Sequence, residues 1–238
     1  MRTIIIGDIH GCYSEFAALL ETCNFDPEAD SLILNGDLMD RGPCSWEVLQ
    51  KAKQLSNEMG DRFILIRGSH EKMLLDNSPN WKNRLLWTLV GKRAAVRSFR
   101  KHGEELLSCT DWIRENSKLW YEDTMFQCAH AGVKAEKIDD NDEHTLLMDH
   151  SVTRKNQYSG KLTITGHIHL KKPMYFDGSG SKGTALEYHK WMPLPKKGVI
   201  CIDTGCAEGN CMTAIVIQND EFHLEHTNQS KWRYYAVL

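Results

Sequence analysis

The 238-residue chain has no apolar run that approaches the length of a membrane span, so an α-helical membrane protein is not expected. Its first apolar stretch is only residues 3–6, and metal-binding residue types begin at Asp8, so no signal peptide is expected either. Charge of one sign is missing too: 29 Lys and Arg against 32 Asp and Glu leave a formal net charge of -3. That balance gives no general attraction to nucleic acid or to an anionic membrane, though a local basic pocket stays open. None of the eight cysteines forms Cys-x-x-Cys, and no Cys/His spacing has the form of a structural zinc site. Several lie in apolar strand or helix patterns, where a free thiol packs as a small hydrophobe, so a reducing cytoplasm is the expected setting. No Gly-x-Ser-x-Gly nucleophile elbow occurs. The acidic stretch Asp139–Glu143 lacks the glycine and glutamate of an EF-hand and reads as a solvated loop. The length suits one domain spanning residues 1–238.

What is present is a rhythm. Thr3–Ile6 is a β-branched apolar run that reads as a buried strand, followed by Gly7, Asp8, His10 and Gly11. In extended backbone, Asp8 and His10 would project to one side at the strand's carboxyl end. A helix follows from Ser14 to Cys23, ended by Asp26-Pro27. Ser31–Asn35 is the next strand, running into Gly36-Asp37-Leu38-Met39-Asp40-Arg41-Gly42, with Pro43 opening a second helix to about Met59. Arg62–Ile66 repeats the pattern and ends in Arg67-Gly68-Ser69-His70-Glu71. Strand, loop and helix in alternation predict an α/β sheet whose carboxyl-end loops carry the site.

Residues 72–119 read as helical, with Trp81, Leu85, Leu86, Leu89, Val96 and Phe99 as core-facing stripes. Lys92, Arg93, Arg97, Arg100 and Lys101 make a basic cluster, open between a solvated face and the border of an anionic substrate. Strands are expected again over Tyr121–Ala129, ending at His130-Ala131-Gly132, and over Lys161–Thr165, ending at Gly166-His167-Ile168-His169. Residues 177–197 read as a surface insertion or hairpin. Val199–Asp203, Met212–Ile217, Glu221–His226 and the aromatic tail 232–235 close the chain as strands. The strand ends thus collect imidazoles and carboxylates beside glycines, a donor set suited to two borderline divalent metals; softness alone does not choose among manganese, iron and zinc.

These motifs, running from residue 7 to 205, resemble the calcineurin-type metallophosphoesterases, and within them the bacterial and phage phosphoprotein phosphatases and the symmetrical diadenosine tetraphosphatases. The resemblance implies a mixed α/β fold: a four-layer αββα sandwich of two mixed sheets with a dinuclear metal site at the carboxyl-end loops. It implies two divalent metal ions, manganese foremost, with iron, zinc or magnesium as alternatives. Asp8 and His10 would bind the first ion, Asp37 would bridge, and His130 and His167 would bind the second. Arg41 would grip the phosphate, His70 would protonate the leaving group, and Asp40 would orient His70.

Three departures stand out. Ser69 occupies a position where the family has a metal-binding asparagine, which predicts a weaker second site. His169, a further histidine after His167, is an extra candidate for the first ion. The second phosphate-binding arginine has no match near Leu146–His150. The leading expectation is hydrolysis of phosphomonoesters, phosphoserine and phosphothreonine in proteins included. The alternatives are a nucleotide hydrolase of the diadenosine tetraphosphate type or a phosphodiesterase, and a weakly active metal-binding pseudo-phosphatase. Expected partners are therefore a phosphorylated protein or a small phosphoester or nucleotide.

Overall fold

The structure, a computed structural model, describes residues 2–76 and 85–230. The short β-branched runs form the strands that sequence periodicity predicts: β1 (Thr3–Ile6), β2 (Ser31–Leu34) and β3 (Phe63–Ile66). They lie side by side in parallel, β1 with β2 and β2 with β3. The connections are helices α1 (Tyr13–Thr22) and α2 (Ser45–Met59), and β3 leads directly into α3 (Ser69–Asp76). Beyond a helical segment at Thr88–Lys92 that is kinked at Gly91 come α4 (Arg93–Lys101) and α5 (Thr110–Asn116), then β4 (Ser117–Lys118), which pairs with β3. The first sheet is completed from the far end of the chain. β12 (Cys211–Gln218) lies antiparallel to β1, and β13 (Glu221–Asn228) lies antiparallel to β12.

The second sheet contains β5 (Trp120–Glu122), β6 (Gln127–Ala129), β7 (Thr163–Thr165), β8 (Met174–Phe176), β9 (Thr184–Ala185) and β11 (Val199–Cys201). β10 (Met192–Pro193) belongs to the first sheet, on the outer side of β13. Between β6 and β7 lie the short helices α6 (Glu143–Met148) and α7 (Ser151–Lys155). Strand alternation sorts the side chains into three cores. Ile5, Ile33 and Ile215 from one sheet meet Cys128, Ile164 and Ile200 from the other. Ile4, Ile6, Leu32 and Leu34 point away from that interface into Phe16, Leu49 and Phe99 of the helical layer. Ala129, Val199 and Cys201 pack under Leu146 and Val152 on the opposite side. The result is the expected stack of helices, sheet, sheet, helices, with both sheets mixed.

Several expectations are corrected. Tyr121–Ala129 is two strands, because the Asp123 carboxylate accepts from the backbone N–H groups of Met125 and Phe126 and turns the chain into a hairpin. The residue 72–119 segment gives up its helix at Ser117, where β4 begins. Leu85, Leu86 and Leu89 are 50%, 54% and 75% exposed, while Trp87 between them is buried: the chain inserts the tryptophan, not the leucine stripe. The acidic stretch is solvent-exposed at Asp139, Asp140 and Asp142, as expected, and Asp142 in addition caps α6 by accepting the Thr145 N–H. Residues 177–197 form no self-contained hairpin; β9 joins one sheet, β10 the other, and Leu186, Tyr188 and Leu194 pack on the inter-sheet core. Trp81 and the tail at 232–235 lie outside the described residues.

Candidate metal centre

The loops that follow β1, β2, β3, β6, β7 and β11 converge at one edge of the two sheets. The first three come from one sheet and the last three from the other. The two halves are stitched by side chains bonded to backbone carbonyls: His130 Nδ1 bonds Asn35 O at 2.9 Å and Asn35 Nδ2 donates to Ala129 O, while within the second sheet Gly166 N donates to His130 O at 2.7 Å. The glycines are there because carboxylates come close. A Cβ on Gly68 would lie 2.2 Å from Asp37 Oδ1, and one on Gly166 would lie 2.1 Å from Asp8 Oδ1. The backbone is also strained. Of the ten described non-glycine residues with positive φ, five are His10, Asp37, Asp40, Arg41 and His167. Left-handed backbone costs such residues about 1–2 kcal/mol each, and its concentration here marks a functional site. It also shows that Asp8 and His10 do not meet through extended geometry: His10 has φ 46°, and the turn itself brings its Nε2 to 4.0 Å from Asp8 Oδ2.

Asp37 is the hub. Its Oδ2 lies 3.5 Å from His10 Nε2, 3.4 Å from His130 Nε2 and 4.0 Å from His70 Nε2. Two clusters share it, His10–Asp37–His70 and Asp37–His130–His167, each with donor atoms close enough to surround one ion. Ser69 Oγ donates to the same Oδ2 at 3.1 Å. Asp8 accepts from the His167 backbone N–H at 3.1 Å.

These side chains fit divalent ions. His10 Nδ1 is bonded to Met39 O at 2.8 Å and His130 Nδ1 to Asn35 O, leaving both Nε2 atoms directed at Asp37. Both Nε2 atoms are buried without a hydrogen-bond partner among the described residues. An imidazole held by a carbonyl at one nitrogen, with its other nitrogen aimed at carboxylates, is the arrangement a metal ligand needs. Protonation follows charge. Burial holds His10 well below its usual range. Burial also pulls on His130, but the Asp37 and Asp8 carboxylates outweigh it and raise it to about 10. Burial and the neighbouring charge on His130 push His167 down to about 3. Burial and the charge of Asp203 push Asp8 upward. Carboxylates crowded this closely call for a cation.

His70 is held apart by its other nitrogen, with Nδ1 2.7 Å from Asp40 Oδ2. Burial pulls its pKa down, but Asp37 and Asp40 win and raise it. His169, in contrast, stands further out. Its Nε2 is 2.8 Å from Arg41 Nη1 and 3.3 Å from Asp203 Oδ2, and its Nδ1 is 2.6 Å from Glu208 Oε1. Arg41 is shared between His169 and Glu208, the latter at 3.3 Å.

Three site residues escaped the sequence reading. Asp203 is buried beside Asp8 and His169, and its position at a strand end two residues before Gly205 resembles the signal that picked out Asp37. Glu71 is fully buried and accepts from the N–H groups of Asp37, Leu38 and Gly68, at 2.8, 2.9 and 2.9 Å. Trp87 donates its indole N–H to Asp40 Oδ2 at 2.6 Å, a contact with no sequence signal.

The family model for calcineurin-like phosphoesterases matches residues 1–171. A symmetrical bis(5'-nucleosyl)-tetraphosphatase of Klebsiella pneumoniae is 27% identical over 290 residues, covering 97% of this chain and 96% of the relative. Its Salmonella arizonae counterpart is 27% identical over 288 residues, with 96% of each chain covered. Among solved structures, a metallophosphoesterase from Sphaerobacter thermophilus superposes with a TM-score of 0.66 at 13% identity, over 97% of this chain and 90% of its own. A protein serine/threonine phosphatase from Saccharomyces cerevisiae gives a TM-score of 0.59 at 15% identity, over 98% and 82%. Those two show a shared fold. The family match over most of the chain, together with a carboxylate hub ringed by imidazoles at the meeting edge of two mixed sheets, places this chain in the calcineurin-like phosphoesterase family.

Proposed function

We propose that the chain hydrolyses phosphomonoesters, phosphoserine and phosphothreonine side chains included, with two divalent ions, manganese foremost. The observation that carries this reading is the shared Asp37 oxygen, flanked by His10 and His130, with the Asp40-backed His70 facing the same point. Asp8, His10 and Asp37 would hold one ion, with His169 as a further candidate; Asp37, His130 and His167, with Ser69 beside them, would hold the other. When bound, such ions supply a Lewis acid for the phosphoryl oxygens and an activated water. The protein's own groups do the rest. Arg41 has N–H groups beyond those facing His169 and Glu208, and these bind phosphate oxygens. Water attacks phosphorus, the ester P–O bond breaks, and His70 gives its Nε2 proton to the departing oxygen. Asp40 accepts from Nδ1 and holds the ring in the productive orientation. The described residues 172–230 are read as part of the same catalytic unit, a reading supported by the pairing of β12 with β1 in the first sheet. Eight thiols without a disulfide support a cytoplasmic setting.

A second reading is cleavage of a dinucleoside tetraphosphate. It is favoured by the near-full-length similarity to symmetrical bis(5'-nucleosyl)-tetraphosphatases. The test is turnover, with added manganese, of para-nitrophenyl phosphate, a phosphoserine peptide, diadenosine tetraphosphate and bis-para-nitrophenyl phosphate. Monoester and phosphopeptide turnover is the expected result. Preference for the tetraphosphate would select the second reading, and no turnover by folded, metal-supplemented protein would refute both.

A further inference from the structure

We infer that Trp87 is a positioning residue for the acid step, acting through Asp40 on His70; this rests on the phosphatase reading above. Asp40 has two carboxylate oxygens and uses them unequally. Oδ2 accepts from His70 Nδ1 at 2.7 Å and from Trp87 Nε1 at 2.6 Å. Oδ1 is buried with no hydrogen bond among the described residues. The terminal torsion of an aspartate is a broad, nearly two-fold rotor, so one bond from His70 leaves the carboxylate free to swing. The indole N–H removes that freedom, because two donors meeting at one oxygen fix the carboxylate plane and with it the imidazole.

The segment that carries Trp87 is built to reach this point. Trp87 is 3% exposed, between leucines that face outward. Immediately after it the helical path is interrupted by a kink at Gly91, φ 124°, before α4 begins at Arg93. Gly91 O accepts the backbone N–H of Arg41 at 3.3 Å, and a Cβ on Gly91 would lie 2.6 Å from that nitrogen. One turn therefore grips two consecutive left-handed residues, Asp40 by its side chain and Arg41 by its backbone. Lys92 Nζ sits 3.9 Å from the centroid of the Trp87 ring. A cation over an indole face anchors the ring and makes its N–H a stronger donor. The tryptophan thus contributes a directed hydrogen bond in addition to packing.

The experiment separates those two contributions by leaving group. Para-nitrophenolate departs without help, whereas phenolate needs the proton from His70. Trp87→Phe keeps most of the ring and loses the N–H. Its kcat for phenyl phosphate is expected to fall by about 10–100-fold, and for para-nitrophenyl phosphate by less than about threefold, with KM for both nearly unchanged. In a His70→Asn background the same change is expected to have no further effect, because the two residues act as a unit. Incorporating benzothienylalanine at position 87, which replaces the N–H by sulfur within the same ring shape, should reproduce the Phe result under conditions where a thermal melt shows the protein still folded. Equal losses on the two esters, or full activity of the benzothienylalanine protein, would overturn the proposal while leaving the phosphatase reading intact. Absence of turnover by the unaltered protein would overturn that reading and this one with it.

Discussion

Glu71→Gln isolates a carboxylate that touches neither substrate nor metal. Glu71 Oε2 accepts from the N–H groups of Asp37 and Gly68, and Oε1 accepts from Leu38. These bonds pin the strained loop at Asp37, where φ is 50°. Glutamine keeps the shape but has one acceptor oxygen. If that oxygen serves Asp37 and Gly68, the amide NH2 confronts the Leu38 N–H, and a buried donor left unpaired costs about 1–3 kcal/mol. The two surviving bonds change from charge-assisted to neutral, at about 1 kcal/mol each. Against this, burial and the charge of Asp37 push the Glu71 pKa upward, so removing its charge returns part of the loss. A net destabilisation of about 2–3 kcal/mol is expected. In a chain of this size each 1 kcal/mol moves Tm by about 2–4 °C, so the metal-free protein should melt about 4–12 °C lower. The assay is a thermal melt in EDTA, paired with a manganese titration of phosphatase activity. Because Asp37 is the hub, the variant should also need more manganese. A Tm within about 1 °C of the parent, with an unchanged metal requirement, would refute the idea that Glu71 sets the Asp37 loop.

Three further outcomes are expected. Ser69→Asn, which exchanges a hydroxyl now spent on Asp37 for an amide oxygen, should lower the half-saturating manganese concentration about tenfold, ~1.4 kcal/mol; identical titrations would rule out Ser69 as the weak point. Gly166→Ala puts a Cβ 2.1 Å from Asp8 Oδ1 and should abolish metal-dependent activity, with unperturbed metal binding by calorimetry as the contrary result. His130 ties pH to metal. Its pKa is about 10 in the metal-free fold against an ordinary 6.5, so its contribution to stability is complete below pH about 6.5 and is lost as pH rises through about 10. A metal ion must displace that proton, so manganese affinity should rise with pH over the same window with release of about one proton. Calorimetry in buffers of different ionisation heat counts it, and release of none would contradict a protonated His130.

Much of this site is written locally. Asp8, His10, Asp37, His70, His130 and His167 each follow a short apolar run and lie within two residues of a glycine, and a strand end is a place that sequence can mark. Glu71 was visible as a residue type, but its role depends on N–H groups from residues 37 and 38, some thirty positions earlier. Trp87 gave no signal of its own. It sits in a stripe of leucines whose spacing predicts burial for them, yet Trp87 is the buried residue and Leu85, Leu86 and Leu89 stay outside.

By itself, then, the sequence determined the alternation of strands and helices, the donor types at the strand ends and the family they resemble. Those follow from side-chain periodicity and from backbone freedom at glycine, which act over a few residues. Tertiary structure alone decided that Asp37 lies between His10 and His130, that His169 faces Arg41, Asp203 and Glu208, and that Trp87 reaches Asp40. Each of these contacts joins loops from opposite sheets or distant segments. Their distances are set by how the layers pack, and no local pattern carries that information.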